Sequence, residues 1–246
     1  MALDKLAKKI RRRILKASFE AKACHIGSAL SCVEILIALY FKVMKSEDVF
    51  IFSKASGGSA LYSVLAEKGV IPEDKIAYYL KNYPLPHKAV PGVIHSVGSI
   101  GHGLSVAAGI ALGNRKRKVY VLMSDGEMDE GSTWEAILFA AHHKLDNLVA
   151  IVDYNKHQAF GRTNEVLNLE PLEDKWRAFN WKVASVDGHD IEMLKSFLET
   201  TGRGPCVLVA HTIKGKGVSF MKDKTEWHYK NLTKELYEEA IRQNTN

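Results

Sequence analysis

The sequence contains little that would indicate a secreted or membrane-spanning protein. It has three cysteines (Cys24, Cys32 and Cys206) in 246 residues, and none of them shows CxxC spacing, so reduced thiols are favoured over a disulfide framework. The longest apolar stretch, LSCVEILIALYF (30–41), carries Glu34 and is too short to cross a bilayer. The N-terminus begins as a charged helix, which does not fit a signal peptide. These absences predict a cytoplasmic globular protein.

The positive charge is concentrated in two places. The net charge is +6, seven of the first sixteen residues are basic, and RKRK occupies 115–118. Nucleic-acid binding would explain such clusters, but no aromatic residues are interleaved with them as stacking platforms. Leu3, Leu6, Ile10 and Ile14 recur at helical spacing, so we interpret the N-terminal basic residues as the solvated face of an amphipathic helix. We expect neither nucleic acid nor membrane as a partner.

Periodicity and turn residues predict alternating helices and strands, without repeats or linkers. A second helix is expected to begin at Ser31, with the Ser31 hydroxyl as its N-cap and Glu34 three positions later. The predicted helices are 3–22, 58–68, one after Pro72, 103–113, 131–143 and 190–200, and the strands are 49–52, 118–124, 148–153, 181–186 and 206–211. The segment 82–100, with its prolines and glycine, is predicted to be an irregular loop. Because the later strands are continuous apolar runs, we predict an α/β fold with a mostly parallel sheet and helices on both faces.

An acidic cluster follows one of these strands. In SDGEMDEG (124–131), Asp125 comes at the carboxyl end of the strand, and Gly126 leaves room for a ligand next to the backbone. Asn155 follows the next strand thirty residues later, after one crossover helix. A carboxylate and an amide at the ends of neighbouring strands are typical of a site for a diphosphate. Because both a carboxylate and a phosphate are negatively charged, they must be joined by a cation, and Mg²⁺ prefers such oxygen ligands. Asp125 and Asn155 therefore predict a diphosphate–metal site.

These motifs resemble transketolase, in the short form in which the N-terminal half is a separate polypeptide. The resemblance covers nearly the whole chain, through ACHIG (23–27), GSIGHG (98–103), SDGEMDEGSTWEA, VDYNKHQAFGRT, DGHD, HTIKGKGVSF and EWHYK. It implies that residues 1–246 form a single diphosphate-binding domain of a thiamine diphosphate enzyme.

The resemblance also implies roles for individual residues. Asp125, Asn155 and the backbone carbonyl of His157 would bind Mg²⁺, with Ca²⁺ as an alternative ion. Ser56, Gly98, Ser99, Ile100, Gly126, Asn155 and His228 would contact thiamine diphosphate, and His25 and His228 would line the substrate channel as catalytic residues. Glu130 and Glu135 match acidic residues near the family's dimer interface. Glu127 and Asp129 are interpreted as first-turn acids favoured by the helix dipole.

Three positions differ from the family pattern. Ser56 stands where the family has a histidine that reaches the diphosphate, His102 replaces a glutamine, and Tyr229 replaces a glycine after the channel histidine. The loop around His87 is also shortened. A serine hydroxyl still donates a hydrogen bond but carries no charge.

The resemblance implies a partner as well. In the family, the glutamate that activates the cofactor belongs to a pyrimidine-binding domain, which we expect on a C-terminal transketolase-like subunit in an α₂β₂ heterotetramer. The first hypothesis is a subunit that transfers a two-carbon ketol unit between sugar phosphates. Other hypotheses are a specialised carboligase acting on an unusual sugar or 2-oxo acid, a 2-oxo-acid dehydrogenase subunit, and a noncatalytic regulatory or nucleic-acid-binding remnant.

Overall fold

A computed structural model of the protein describes residues 2–199 and 204–245. Its strands are β1 (Val49–Phe52), β2 (Val119–Ser124), β3 (Leu148–Tyr154), β4 (Lys182–Asp187) and β5 (Cys206–His211). Its α-helices are α1 (Ala2–Ala21), α2 (Ile26–Ser31), α3 (Val33–Ala38), α4 (Gly58–Glu67), α5 (Ile76–Asn82), α6 (Gly103–Gly113), α7 (Gly131–His142), α8 (Thr163–Val166), α9 (Leu172–Ala178), α10 (Ile191–Leu198) and α11 (Lys234–Gln243).

The strands form one parallel sheet in the order β1-β2-β3-β5-β4. The central strands β2, β3 and β5 are almost entirely buried, which explains their continuous apolar sequences. The helices α6, α7 and α9 share one hydrophobic core with one face of the sheet, and α1–α5, α10 and α11 share a second core with the other face. The predicted α/β fold with a parallel sheet covered on both faces is confirmed.

Most element boundaries agree with the sequence-based expectation. The predicted helix 103–113 and strand 206–211 coincide with α6 and β5, and 83–102 contains no helix or strand. The predicted end of the 190–200 helix lies outside the described residues, and α10 covers Ile191–Leu198. In the described ranges, no helix has both the length and the apolar character of a membrane span.

The prediction that Ser31 begins a helix as its N-cap is wrong. Ser31 is the last residue of α2, and α3 begins at Val33 after a break at Cys32. The Ser31 hydroxyl donates to the Ser28 carbonyl at 2.9 Å and to Asp153 Oδ2 at 2.6 Å. It bonds a distant carboxylate because α2 packs against the carboxyl edge of the sheet, a contact that no local pattern reveals.

The basic face of α1 is less solvated than expected. Ile10 and Ile14 are fully buried as predicted, but Arg11 is buried as well and donates two hydrogen bonds to Glu34 at 2.7 and 2.8 Å. Arg13 and Lys9 both pair with Glu67. Acidic residues of α3 and α4 therefore neutralise part of the charge that the sequence concentrates in α1.

Candidate functional site

A cavity of about 470 Å³ opens at the carboxyl edge of the sheet, where the segments after β1, β2 and β3 meet. Ligands bind at this edge in open α/β sheets because the loops that follow parallel strands converge there. Nine of the ten residues predicted for the site line this cavity: His25, Ser56, Gly98, Ile100, Asp125, Gly126, Asn155, His157 and His228. The tenth, Ser99, lines a neighbouring cavity together with His102.

Asp125 is a buried carboxylate directly after β2, with 2% of its surface exposed. Its Oδ1 accepts a hydrogen bond from the Gly126 N–H at 2.9 Å, and its Oδ2 accepts one from the Lys156 N–H at 2.8 Å. Burial raises the pKa of the Asp125 carboxyl to about 7, although the Lys54 charge opposes the shift. A carboxylate held in this way would be stabilised by a bound cation.

Asn155 and His157 line the same cavity as Asp125. The β2–β3 register pairs Ser124 with Asp153, so the two strand ends lie side by side. Asn155 is 4% exposed, and its Oδ1 accepts a hydrogen bond from the His157 N–H at 3.0 Å. In the described part of the chain, no group of three or more His, Cys, Asp or Glu side chains could hold a metal ion. A metal here would need one carboxylate plus amide and carbonyl oxygens, which fits the hard donors that Mg²⁺ prefers.

Two buried lysines near this edge were missed by the sequence interpretation. Lys54 follows β1 and pairs with Asp153 at 2.5 Å, while Lys214 follows β5 and is fully buried. Burial lowers the pKa of Lys214 to about 8, and the Lys54 charge adds to this effect. Because buried ammonium groups without full compensation are costly, the region favours an anionic ligand. The sequence pattern that could have revealed them is a lysine beside small residues shortly after a predicted strand. It occurs in SKAS (53–56) and in KGKG (214–217).

His25 and His228 form an aromatic cluster with Tyr229 at one side of the cavity. The two histidine rings are 4.8 Å apart in an edge-to-face arrangement. The backbone N–H of His25 donates to the backbone carbonyl of His228 at 2.8 Å. The Tyr229 ring lies 4.7 Å from that of His228 and is 58% exposed. Burial lowers the pKa of both histidines, to about 3 for His228. Both rings are therefore neutral at physiological pH.

Ser56 and Gly126 leave room for a ligand. Ser56 lies in a 3₁₀ turn between β1 and α4, and no partner of its hydroxyl is found within residues 2–199 and 204–245. A β-carbon at Gly126 would have Gln158 as its nearest neighbour, at 3.6 Å. The space next to the Ser56 hydroxyl and the Gly126 backbone is therefore open to a ligand.

The side chain of His157 ties two loops of the site together. Its Nε2 lies 2.7 Å from Asp223 Oδ1, and its Nδ1 lies 2.8 Å from Thr225 Oγ1. Thr225 begins the 3₁₀ segment that ends at His228. By contrast, His87 does not line the cavity, and its ring stacks on Tyr83 at 4.8 Å.

Glu127 is a first-turn acid as interpreted, but of the 3₁₀ segment Asp125–Asp129 and not of α7. Glu127 is fully buried in the 3₁₀ segment Asp125–Asp129, before α7 begins. It accepts hydrogen bonds from the Ser124 N–H at 2.8 Å, the Gly101 N–H at 3.4 Å and the Ser53 hydroxyl. Glu127 therefore joins the ends of β1 and β2 to the loop before α6.

The other acids of the cluster also differ from one another. Asp129 also precedes α7 rather than lying in its first turn, and its Oδ2 accepts a hydrogen bond from Gln158 at 2.7 Å. Glu130 immediately precedes α7 and lines the cavity, whereas Glu135 is exposed on that helix.

Comparison with known proteins gives a consistent result. Residues 3–244 match the family described as transketolase, thiamine diphosphate binding domain. The chain is 43% identical to an apulose-4-phosphate transketolase subunit of Actinobacillus succinogenes, covering 93% of this chain and 90% of that protein. It is 39% identical to the 6-deoxy-6-sulfo-D-fructose transketolase subunit SqwG of a Clostridium species, and this match covers 97% of this chain and 94% of that protein.

A solved structure is similar over the same region. The crystal structure of transketolase from Campylobacter jejuni superposes with a TM-score of 0.90 at 25% identity. The match covers 98% of this chain and 42% of that longer one.

Proposed function

Because this chain belongs to the transketolase family through its thiamine diphosphate-binding domain, we propose that it is the N-terminal subunit of an enzyme that transfers a two-carbon ketol unit between sugar phosphates. The observation that carries the proposal is the meeting of Asp125, Asn155 and His228 on one cavity at the carboxyl edge of the sheet. Lys54 and Lys214 add positive charge close to it, as a diphosphate requires.

The proposed cofactor is thiamine diphosphate with Mg²⁺, or Ca²⁺ in its place. When bound, the cofactor supplies an electron sink for the carbanion that ketol transfer requires. Asp125 Oδ, Asn155 Oδ1 and the His157 carbonyl would hold the metal, and Ser56 would donate a hydrogen bond to the diphosphate. The Gly126 N–H, the proposed backbone donor to the diphosphate, donates to Asp125 Oδ1 in this structure.

The histidines would act on the substrate. Since His25 and His228 are neutral, each ring carries one N–H that can donate a hydrogen bond to a sugar hydroxyl or carbonyl oxygen. Gly98, Ser99 and Ile100 would contact the pyrimidine end of the cofactor through their backbone. These three residues are exposed, so a second protein surface could cover them.

We also propose a partner subunit that carries the pyrimidine-binding domain and its activating glutamate. The relatives named above are described as subunits of transketolases, which supports a divided enzyme. Glu130, Glu135 and the small-residue helix α6 would lie at a subunit interface in an α₂β₂ heterotetramer, since twofold symmetry is the common arrangement. We place the assembly in the cytoplasm.

A specialised substrate is the second candidate. The relatives' names specify apulose 4-phosphate and 6-deoxy-6-sulfofructose rather than the sugars of central metabolism. In this chain, Tyr229 is exposed beside His25 and His228, and Ser56 lines the same cavity. An aromatic ring at this point would restrict which sugars reach the histidines.

Reconstitution tests the proposal. The chain and its candidate partner are purified separately, mixed with thiamine diphosphate and Mg²⁺, and assayed for transfer from xylulose 5-phosphate to ribose 5-phosphate. Activity should require both chains and appear with a mass of two copies of each. Assembly without transfer to ribose 5-phosphate would favour the specialised substrate, and full activity from this chain alone would contradict the divided site.

A further inference from the structure

Lys214 is a buried lysine whose ammonium group faces a histidine instead of a carboxylate. The residue is fully buried. Within residues 2–199 and 204–245, the one hydrogen bond of its ammonium is to Nδ1 of His228, at 3.3 Å. This contact determines which nitrogen of His228 can carry the proton.

The chemistry of the two groups leaves one arrangement. A lysine ammonium has three donors and no acceptor, so Nδ1 of His228 must offer its lone pair. Burial and the neighbouring charges of Lys214 and Lys54 lower the pKa of His228 to about 3, so the ring is neutral and has a single N–H. That proton is then on Nε2. No partner for Nε2 is found in the described part of the chain, and the ring lines the cavity.

We propose that Lys214 is a positioning residue that fixes His228 in the Nε2–H tautomer, so that His228 presents a hydrogen-bond donor, and not a base, to an oxygen bound in the cavity. The identity of that oxygen rests on the proposed function, under which it belongs either to the diphosphate or to the sugar. The tautomer itself does not depend on that function.

The backbone on both sides of Lys214 is anchored by hydrogen bonds. The Ile213 N–H donates to His189 Nε2 at 3.0 Å, and the Gly215 N–H donates to the Gly27 carbonyl at 2.9 Å. A β-carbon at Gly27 would lie 3.1 Å from Lys214 Cγ, so the lysine stem packs directly on this glycine. The backbone and the first part of the lysine side chain are therefore fixed, which favours the contact of the ammonium with His228.

Nuclear magnetic resonance can test the tautomer in the full chain without cofactor. Histidine is labelled with ¹⁵N, and the His228 signals are assigned by their loss in H228Q. The unmodified chain should show a protonated Nε2 and an unprotonated Nδ1 that is shifted by its ammonium donor. In K214M the Nδ1 resonance should move towards that of a nitrogen without a donor, and the Nδ1–H form should appear.

Two control variants separate this role from a general effect on folding. K214R keeps a cationic donor and should restore the wild-type tautomer, whereas K222M removes an exposed lysine nearby and should change nothing. In K214M the pKa of His228 should also rise, because one of the charges that lowers it is gone. A protonated Nδ1 in the unmodified chain, or an unchanged Nδ1 resonance in a folded K214M, would overturn the proposal.

The reconstituted enzyme identifies the oxygen. The variant H228F removes the Nε2–H donor and keeps the Lys214 charge. If the oxygen belongs to the diphosphate, H228F should weaken cofactor binding by about tenfold, and if it belongs to the sugar, KM for the donor sugar should rise by about tenfold, the equivalent of one hydrogen bond. K214M should show at least the same loss, and K214R should recover most of it. Because the tautomer is measured without cofactor, absence of ketol transfer would contradict the proposed function and leave the positioning role of Lys214 intact.

Discussion

Lys54 Nζ lies 2.5 Å from Asp153 Oδ2, and both side chains are almost completely buried. The ion pair joins the segment after β1 to β3, across the intervening strand β2. Asp153 also accepts hydrogen bonds from the hydroxyls of Ser31 and Thr212, so all its donors come from the carboxyl edge of the sheet and the helix packed on it. A buried ion pair therefore lies at the edge of the cavity, which Lys54 lines.

Removing one member of this pair should be strongly destabilising. D153N leaves the Lys54 ammonium buried without a counter-charge, and we expect the free energy of unfolding to fall by about 3–5 kcal/mol. The double variant K54M/D153N should lose less than D153N alone, because no charge is then left unpaired. Guanidinium chloride unfolding followed by circular dichroism measures both.

A matched control is available on α9. Asp174 forms an exposed ion pair with Arg177 at 2.6 Å, and D174N should change stability by about 0.5 kcal/mol or less. Equal losses in D153N and D174N would show that the buried pair contributes little to stability.

Asp125 should be needed for the cofactor and not for the fold. Its carboxylate is disfavoured by burial, so D125A should unfold at a similar denaturant concentration to the unmodified chain. In the reconstituted complex, D125A should abolish Mg²⁺-dependent binding of thiamine diphosphate in calorimetric titration, because the proposed carboxylate ligand is gone. D74A, at an exposed acid outside the cavity, is the control. Unchanged affinity in D125A would assign the metal to other residues.

Lys214 should make the stability of the cofactor-free chain depend on pH. Its pKa is about 8 in the folded protein against 10.5 ordinarily, so folding favours the neutral amine. The lowered pKa contributes to the free energy of unfolding above pH 10.5. This contribution is lost as the pH falls from 10.5 to 8, by about 3 kcal/mol in total. Relative to K214M, which lacks this group, the unmodified chain should therefore become less stable over that interval. Denaturant unfolding at several pH values measures the difference, and parallel curves for the two proteins would contradict it.

Replacing the Glu127 carboxylate by an amide of the same shape should destabilise the fold. In E127Q, the amide NH₂ must face either the Ser124 N–H or the Gly101 N–H, since the two carboxylate oxygens accept from these two donors. We expect a loss of about 1–3 kcal/mol in the free energy of unfolding. E135Q, on the exposed face of α7, should be neutral. Hydrogen exchange should also show faster opening at Gly101 in E127Q, and unchanged exchange there would argue against its role in holding this loop.

Ser56 tests how far the cavity departs from the family pattern. We expect S56H to leave cofactor affinity within about tenfold, or 1.4 kcal/mol, because a hydroxyl and an imidazole can each donate one hydrogen bond. Turnover of the reconstituted enzyme should change more than cofactor affinity, since Ser56 lines the same cavity as the histidines. Complete loss of cofactor binding in S56H would mean that the backbone near Ser56 follows a different course from that of the family.

Local sequence was sufficient for most helices and strands of this protein. Continuous apolar runs predicted β3 and β5, and small residues at helical spacing predicted α6, because buried parallel strands and closely packed helices require such residues. The positions of Asp125 and Asn155 at strand ends followed from the same patterns. Since the ends of parallel strands meet at one edge, their approach could also be predicted.

The strand order was decided only in three dimensions. After β3 the chain forms β4 at the edge of the sheet, and it then returns through α10 to insert β5 between β3 and β4. No local pattern records which neighbour a strand will pair with. The insertion of β5 brings Thr212 next to Asp153, and Lys214 follows close behind it.

The buried charges also depended on tertiary structure. Lys54 and Asp153 are 99 positions apart, and Glu34 reaches both Arg11 and His189, the latter 155 positions away. In the sequence, these residues look like ordinary polar residues of helices and loops. A lysine after a strand has the same local pattern whether its ammonium reaches water or a buried carboxylate, because desolvation and pairing are properties of the packed structure.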